Sequence, residues 1–170
     1  MAPKKGHGKT AIIVPYRNRE SQLEQFRLFM KDYLKGYDYR IFVIEQSADG
    51  YKFNRGILLN IGFKIASDKG YNIFIFHDVD LLPPDSLRKY YTDVKVDGVE
   101  DPTVQIAHSW NRYNSGLNDL YFGGITRIAK SLMLSVGGYP SVFWGWGDED
   151  NEMLKRVRTI KPAPEILRPI

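Results

Sequence analysis

The chain has 170 residues, of which 43% are apolar and 26% are charged, a composition typical of one folded domain with a sizeable core. The formal net charge is only +4 and the basic residues are scattered, so a nucleic-acid-binding protein is not expected. No apolar run reaches the roughly 18 to 20 residues that cross a bilayer, and no signal region is present, so we expect a soluble, most simply cytoplasmic protein. The absence of cysteine excludes disulfides and thiolate metal sites.

The beginning of the chain predicts a tail followed by buried strands. The first nine residues contain Lys, Gly and Pro and are predicted to form a flexible basic tail, which leaves residues 10–170 as the folded domain. Apolar runs rich in β-branched and aromatic residues predict strands at residues 11–15, 40–44 and 71–76.

Amphipathic segments separate these strands. Residues 19–35 have apolar positions at helical spacing, and Ser21 with Glu24 could form a capping box at the start of this helix. A second helix, which Gly70 could end, has the predicted apolar stripe Ile57, Leu58, Ile61 and Ile65. The resulting β-α-β-α-β order favours a single α/β domain with a mostly parallel sheet flanked by helices.

The second half of the chain has a less regular pattern. We predict strands at residues 103–108 and 121–128, a polar loop at 111–118, and helices at 130–136 and 148–157. Gly137 and Gly138 would close the first of these helices, and the second would bury Met153, Leu154 and Val157.

Two aspartates follow the third predicted strand. Asp78 and Asp80 stand at i and i+2, so an extended backbone would point both carboxylates the same way, at the strand end where ligands bind in open parallel sheets. Two such acids repel unless a cation or a hydrogen-bond donor separates them, and a hard divalent ion such as Mn²⁺ or Mg²⁺ prefers oxygen ligands. The alternative is that one aspartate caps the next turn and the other is solvated.

Arginines lie at the same predicted edge of the sheet. The segment PYRNR, residues 15–19, ends the first strand, and FNRG, residues 53–56, opens the second helix. Guanidinium groups and helix N-termini suit a diphosphate, and Tyr16 or Phe53 could stack on a base. These arginines could equally be surface charges, but their common position favours a nucleotide site.

The segment VFWGWGDED, residues 142–150, places tryptophans and glycines directly before an acidic helix start. Sugars have apolar C–H faces and polar edges, so aromatic rings beside carboxylates suit them, and the glycines would allow the loop to move. The alternative is that Glu149 and Asp150 are ordinary acids favoured by the helix dipole.

Five motifs in this order carry a family resemblance. The segments PYRNR, FNRG, FIFHDVDLLP, YFGGITRIAK and GGYPSVFWGWGDEDNEM are similar to those of the β-1,4-galactosyltransferases, over about residues 10 to 160. The resemblance implies an α/β fold of the GT-A, Rossmann-like type. It implies an inverting enzyme that uses Mn²⁺ or Mg²⁺ to move galactose or a related hexose from a UDP-sugar donor to a glycan or glycoconjugate acceptor, with a β-1,4-type linkage.

The same resemblance assigns roles to individual residues. Asp80 would bind the metal, Glu149 would hold the sugar, and Asp150 would be the catalytic base. Tyr121 would select galactose, and Trp146 would close over the donor. The implied donor contacts are Pro15, Tyr16, Arg17, Arg19, Phe53, Arg55, Asp78, Val79, Tyr121 and Trp146. The implied acceptor contacts are Trp146, Gly147, Glu149 and Asp150.

The sequence also departs from this family. Animal members have a membrane anchor, cysteines, and a further segment with a histidine metal ligand, whereas the histidines here are His7, His77 and His108. We therefore expect an incomplete metal site in a domain that is short at its C-terminus, and the Golgi lumen only if the chain is an excised domain. The alternatives are a catalytically silent UDP-sugar or glycan-binding module and an N-acetylgalactosaminyltransferase of the same family.

Overall fold

The computed structural model describes residues 8–108, 120–145 and 147–169. The described helices are α1 (Glu20–Tyr33), α2 (Arg55–Asp68), α3 (Lys89–Thr92), α4 (Lys130–Ser135) and α5 (Glu149–Thr159). The described strands are β1 (Thr10–Tyr16), β2 (Tyr39–Glu45), β3 (Ile73–His77), β4 (Lys95–Val96), β5 (Val99–Glu100), β6 (Thr103–Gln105), β7 (Ile125–Arg127) and β8 (Ile166–Leu167). Across the described part of the chain, no helix has both the length and the apolar character needed to cross a membrane.

Six of the described strands form one sheet in the order β2-β1-β3-β7-β6-β8, and β4 pairs with β5 separately. β1 is parallel to both β2 and β3, which confirms the predicted β-α-β-α-β start. β7 is antiparallel to β3 and β6, so the second half of the sheet is mixed. Parallel neighbours require a crossover, which α1 and α2 provide in the first half, whereas no described helix lies between β6 and β7.

The core lies on both faces of the sheet because β1 is covered on both. All seven residues of β1 are buried, and successive side chains point to opposite faces. Ile12 and Val14 pack in a cluster with Phe26 of α1, while Ile13 packs in a second cluster with Leu59 of α2. This two-sided burial fixes the positions at which β1 and β3 end.

Helix α1 confirms the predicted apolar face but lacks the predicted cap. Leu23, Phe26, Met30 and Tyr33 are buried as expected. No side chain caps the N-terminus of α1, and the Ser21 hydroxyl instead lies 3.0 Å from the Gln22 side-chain oxygen. The capping-box prediction was therefore wrong.

Helix α2 is rotated relative to the predicted apolar stripe. Leu58 is buried, but Ile61 is 44% exposed and Ile65 is 37% exposed. The helix instead packs its small residues on the sheet, and a Cβ on Gly62 would collide with Ile13. Because apolar residues occur around most of this helix, the close approach permitted by Gly62 selects the buried face. The face toward the core consists of Leu58, Leu59, Gly62, Phe63 and Ala66.

The folded part of the chain starts before the predicted boundary at residue 10. The Gly8 amide donates to the Thr92 carbonyl oxygen at 2.9 Å, and the Lys9 amide donates to the Asn72 side chain at 2.8 Å. The remaining tail residues 1–7 and the predicted polar loop 111–118 lie outside the described residues.

Helix α2 also holds the segment that follows α4. Asn54 caps α2 by accepting from the Ile57 amide at 3.0 Å, and its side-chain nitrogen donates to the Ser141 carbonyl oxygen at 2.8 Å. Further along the helix, the Asn60 side chain donates to the Tyr139 carbonyl oxygen at 2.9 Å and accepts from the Tyr139 amide at 2.8 Å. Residues 139–141 are thereby fixed against α2.

We expect Asn60→Ala to destabilise the domain, because it leaves both backbone groups of Tyr139 without their partner. The expected loss in the free energy of unfolding is about 1–3 kcal/mol, measured by urea titration. Ile61→Ala is the matched control, since its half-exposed side chain should cost less than about 1 kcal/mol. Equal losses from the two variants would show that the Asn60 hydrogen bonds do not hold this segment.

Candidate active site

A cleft of about 500 Å³ opens at the edge of the sheet where β1 and β3 end. Ligands bind at this position in open α/β sheets. The cleft wall contains the predicted site residues Pro15, Arg19, Phe53, Arg55, Asp78, Val79, Asp80, Tyr121, Gly147, Glu149 and Asp150. Residues that the sequence did not single out, Gly145, Asp148 and Asn151, also line it. Most of the predicted residues therefore lie together.

Arg55 joins the acids of the cleft. Its Nε donates to Asp78 at 2.9 Å and its Nη1 donates to Asp150 at 2.6 Å. Nη1 also lies 3.6 Å from a carboxylate oxygen of Glu149. Arg55 is only 9% exposed, and its Nη2 is buried with no hydrogen-bond partner among the described residues. One guanidinium group thus connects the start of α2, the end of β3 and the start of α5.

The position of Arg55 runs against local helix preferences. As the first residue of α2, it puts a positive charge at the positive end of the helix dipole. Helix α5 follows the ordinary preference, with Glu149, Asp150 and Glu152 in its first turn and Arg156 and Arg158 in its last. The carboxylates gathered around Arg55 explain why the unfavourable charge is retained.

Asp150 has an unusual protonation state. Burial raises the pKa of its carboxyl from 3.8 to about 7, Arg55 opposes this increase, and Glu149 and Asp78 add to it. Near neutral pH the group is therefore divided between its charged and neutral forms, which is the range in which a carboxylate exchanges protons effectively.

Gly123 provides the space for this carboxyl. A Cβ at residue 123 would collide with the Asp150 carboxyl group and would lie 2.8 Å from the Tyr121 hydroxyl. The Tyr121 phenol has a raised pKa, mainly because of burial and secondarily because of Asp150, and so it stays protonated. Sequence reasoning missed the role of Gly123, although the YFGG segment contained the signal.

The two predicted aspartates of the DVD segment have different surroundings. Asp78 is paired with Arg55, whose Nε lies 2.9 Å from its carboxylate. Asp80 is exposed at the cleft and forms no hydrogen bond or ion pair with the described residues. Its free carboxylate suits a hard divalent cation. No group of three or more metal-binding side chains occurs in the described part of the chain, so Asp80 would share such an ion with ligand oxygens.

Tyr16 and Arg17 do not line the cleft, unlike the other described donor contacts implied by the resemblance. Tyr16 is buried, and its hydroxyl oxygen accepts from the Arg19 amide at 3.3 Å. Arg17 donates to the Tyr51 carbonyl oxygen at 2.9 Å, and its guanidinium carbon lies 5.5 Å from the centre of the Phe53 ring. Tyr16 therefore contacts the backbone of Arg19, and Arg17 packs near the ring of Phe53, while neither residue lines the cleft itself.

His77 is placed away from the cleft. Its ring is fully buried and packs edge-on against Phe26 on the face of the sheet opposite Asp78. Its Nδ1 lies 2.8 Å from the Asp78 carbonyl oxygen, and burial lowers its pKa to about 4, so the ring is neutral. His77 is therefore a core residue and does not face the cleft.

The loop before α5 has backbone conformations that glycine adopts more easily than other residues. Gly145 and Gly147 both have φ values of 104°, and Asp148 has a φ of 72°. The Gly145 amide donates to the Phe53 carbonyl oxygen at 2.7 Å, which ties the loop to the start of α2. Trp146, the predicted closing residue, lies outside the described residues. Trp144 is exposed and contacts the Tyr51 ring at a centroid distance of 5.4 Å.

Known proteins are similar to this chain in both sequence and fold. Residues 2–93 match the N-terminal region of glycosyl transferase group 7, and residues 104–168 match the N-terminal domain of galactosyltransferase. Mouse β-1,4-galactosyltransferase 1 is 37% identical over 161 residues, covering 88% of this chain and 36% of that protein. Human β-1,4-galactosyltransferase 4 is 35% identical over 167 residues, covering 93% of this chain and 46% of that protein.

A solved structure of a relative has a similar fold. A variant of Drosophila β-1,4-galactosyltransferase 7, in complex with manganese, UDP-Gal and xylobiose, matches with a TM-score of 0.77 at 34% identity, over 94% of this chain and 63% of that chain. The fold and the cleft therefore define a glycosyltransferase domain of the GT-A type. The chain belongs to glycosyltransferase group 7, the β-1,4-galactosyltransferase family. It spans 36% to 46% of the length of the curated relatives named above.

Replacing Asp150 should change how stability depends on pH. The folded-state pKa of about 7 lies above the unfolded value of 3.8, so the parent loses stability as pH rises between these values. Asp150→Asn cannot ionise and escapes this loss. We expect its free energy of unfolding relative to the parent to increase by at least about 1 kcal/mol from about pH 5 to about pH 8.

Urea titrations at both pH values measure this difference, and Asp148→Asn, an exposed neighbour, is the control. A constant difference between Asp150→Asn and the parent at the two pH values would contradict the raised pKa.

Proposed function

We propose that this domain binds UDP-galactose and transfers the sugar, with inversion, to a hydroxyl group of a sugar acceptor, forming a β-1,4-type linkage. The convergence of Asp78, Glu149 and Asp150 on Arg55 within the cleft carries this proposal. It places a carboxyl group that titrates near neutral pH beside two further acids able to hold sugar hydroxyls. The Drosophila relative, solved with UDP-Gal and xylobiose, supports the same class of donor and acceptor.

Charge balance supports a metal-assisted donor. The cleft wall holds five carboxylates, those of Asp78, Asp80, Asp148, Glu149 and Asp150, against the two guanidinium groups of Arg19 and Arg55. A diphosphate would be repelled from this surface without a cation. Mn²⁺ or Mg²⁺ held by Asp80 would neutralise the diphosphate and stabilise UDP as the leaving group. The same negative charge disfavours a nucleic-acid partner.

The donor is proposed to lie along the arginine side of the cleft. Arg19 would contact the diphosphate and Phe53 would pack against the base, with Pro15 and Val79 completing the wall. Arg17 would act by fixing Phe53, and Tyr16 by fixing the backbone of Arg19. Tyr121, which lies near Asp150, would border the sugar and favour galactose over its bulkier N-acetyl relative.

Asp150 is proposed to act as the base. It accepts the proton of the acceptor hydroxyl while the acceptor oxygen forms a bond to the anomeric carbon of the donor. The bond from that carbon to the UDP oxygen breaks at the opposite face, and its electron pair leaves with UDP. Glu149 would hold sugar hydroxyls, while Gly147 and Trp146 would cover the reacting groups and exclude water.

A catalytically silent UDP-sugar-binding module is the second candidate. One observation favours it: the described part of the chain holds no group of three or more side chains that could bind a metal, so the protein itself offers few ligands to the ion that the donor would need. Both candidates predict nucleotide binding, and measured transfer separates them.

UDP should bind more tightly with Mn²⁺ than with EDTA, and Asp80→Ala should remove this difference. Loss of the metal ligand leaves the diphosphate facing uncompensated acids, so we expect at least roughly a tenfold loss of affinity by calorimetry in Mn²⁺. Asp85→Ala, which removes an exposed aspartate nearby, is the matched control. Unchanged UDP affinity of Asp80→Ala in Mn²⁺ would refute the metal assignment.

Asp150→Asn should bind the UDP-sugar within about 1 kcal/mol of the parent but transfer it roughly 10²- to 10⁴-fold more slowly, the usual effect of losing a positioned base. Product formation is measured with Mn²⁺, UDP-galactose and a panel of sugar acceptors. Glu152→Gln, two residues further along α5 and involved in surface ion pairs, should retain parental rates. If Asp150→Asn transfers sugar as fast as the parent, Asp150 is only a helix-start acid.

A further inference from the structure

The Arg55 guanidinium group is directed at protein carboxylates rather than at open cleft space. Nε and Nη1 are engaged by Asp78 and Asp150, and Nη2 is enclosed. The side chain is only 10% exposed, so a diphosphate could reach it only after these ion pairs rearrange. This geometry differs from the donor contact that the family resemblance implies for Arg55.

We infer that Arg55 is a positioning residue that holds the carboxylate of Asp150 in place and favours its ionised form. The inference deepens the proposed function, because it rests on Asp150 being the base. The short contact of 2.6 Å directs one oxygen of Asp150 toward Arg55, and Gly123 leaves room for the other. The two contacts together fix the orientation of the carboxyl group.

The groups around Asp150 make Arg55 decisive for its charge. Arg55 approaches from α2, Asp78 from the end of β3, and Glu149 from α5 itself. The phenols of Tyr121 and Tyr139 face it from the segments that precede β7 and follow α4. Arg55 is the single cation among these groups. Its removal would leave Asp150 beside two carboxylates in a buried site, which favours the protonated and inactive form.

Two variants separate charge from geometry. Arg55→Lys keeps the positive charge, but its single ammonium group cannot reproduce the fixed geometry in which two guanidinium nitrogens bind Asp78 and Asp150. Arg55→Gln removes the charge. If Arg55 acts through Asp150, the Lys variant should lose positioning and the Gln variant should also lose ionisation.

The ionisation of Asp150 can be measured without catalysis. Carbon-13 NMR follows the carboxyl carbon of Asp150, identified by its absence from the Asp150→Asn spectrum, through a pH titration. We expect Arg55→Gln to raise the pKa of Asp150 by about one pH unit or more, and Arg55→Lys to raise it less. A pKa of Asp150 that is the same in the parent and the Gln variant would overturn the inference.

Kinetics provides a second test that does not require the Gln variant to fold. Arg55→Lys should lower kcat for transfer roughly 10- to 100-fold and change UDP affinity less than about threefold. In the Asp150→Asn background, the same Lys substitution should change kcat less than about twofold, because its effect acts through Asp150. Equal effects of Arg55→Lys in both backgrounds, or a loss confined to UDP affinity, would overturn the inference and restore a donor contact.

The two hypotheses fail in different ways. If the parent transfers no sugar from any UDP-hexose, the proposed function fails, while the NMR titration still decides whether Arg55 controls Asp150. If transfer occurs and both the titration and the double-variant comparison are unaffected by Arg55, the positioning role fails and the transferase proposal stands.

Discussion

The Arg55 guanidinium group is buried between Asp78, Glu149 and Asp150, and a charge in such a place is tolerated only when its partners are held close. Asp78 follows a strand 23 residues after Arg55, whereas Asp150 lies in the first turn of a helix, 95 residues after Arg55. Their ion pairs with Arg55 therefore require that β3, α2 and α5 keep fixed relative positions. The two-sided core around β1 provides this rigidity.

Helix α2 is the common support for both sides of the cleft. Gly56 allows the Pro140 carbonyl oxygen to occupy the space of a Cβ, so the helix start and the segment after α4 are in backbone contact. Asn54 and Asn60 then fix the same segment by side-chain hydrogen bonds. The same helix positions Arg55, which connects to the first turn of α5. The acids and the loop that leads to them are thus aligned by one element.

The sequence predicts the parts of this structure that depend on local pattern. The first three strands have continuous apolar runs, and the acids and arginines at their ends could be placed at one edge from the parallel order alone. The buried face of α2 was not predictable from the periodicity, because Ile61 and Ile65 fit a helical stripe as well as the residues that are buried. Contact with Ile13 at Gly62, which is remote in sequence, decides between them.

The partners of Arg55 were also beyond sequence reasoning. The FNRG motif locates the arginine at a helix start, but a pattern of residues does not show which of several nearby charges meet. The antiparallel placement of β7 has the same origin, since a short strand carries no signal for its direction. Tyr16 and Arg17 do not line the cleft although Pro15 and Arg19 of the same motif do, because neighbouring residues can point to different sides of the backbone.

Because glycine has no side chain, the space beside Gly123 is shared by Asp150 and Tyr121, so a change at one of these residues affects the other. The Asp150 carboxyl and the Tyr121 hydroxyl both border the volume that a methyl group at residue 123 would fill. A substitution at Tyr121 would alter packing in that same volume and so disturb the carboxyl group. If Tyr121 limits the donor sugar and Asp150 is the base, as proposed, donor range and turnover would show epistasis, and libraries that diversify Tyr121 should retain glycine at 123 and include compensating changes around Asp150.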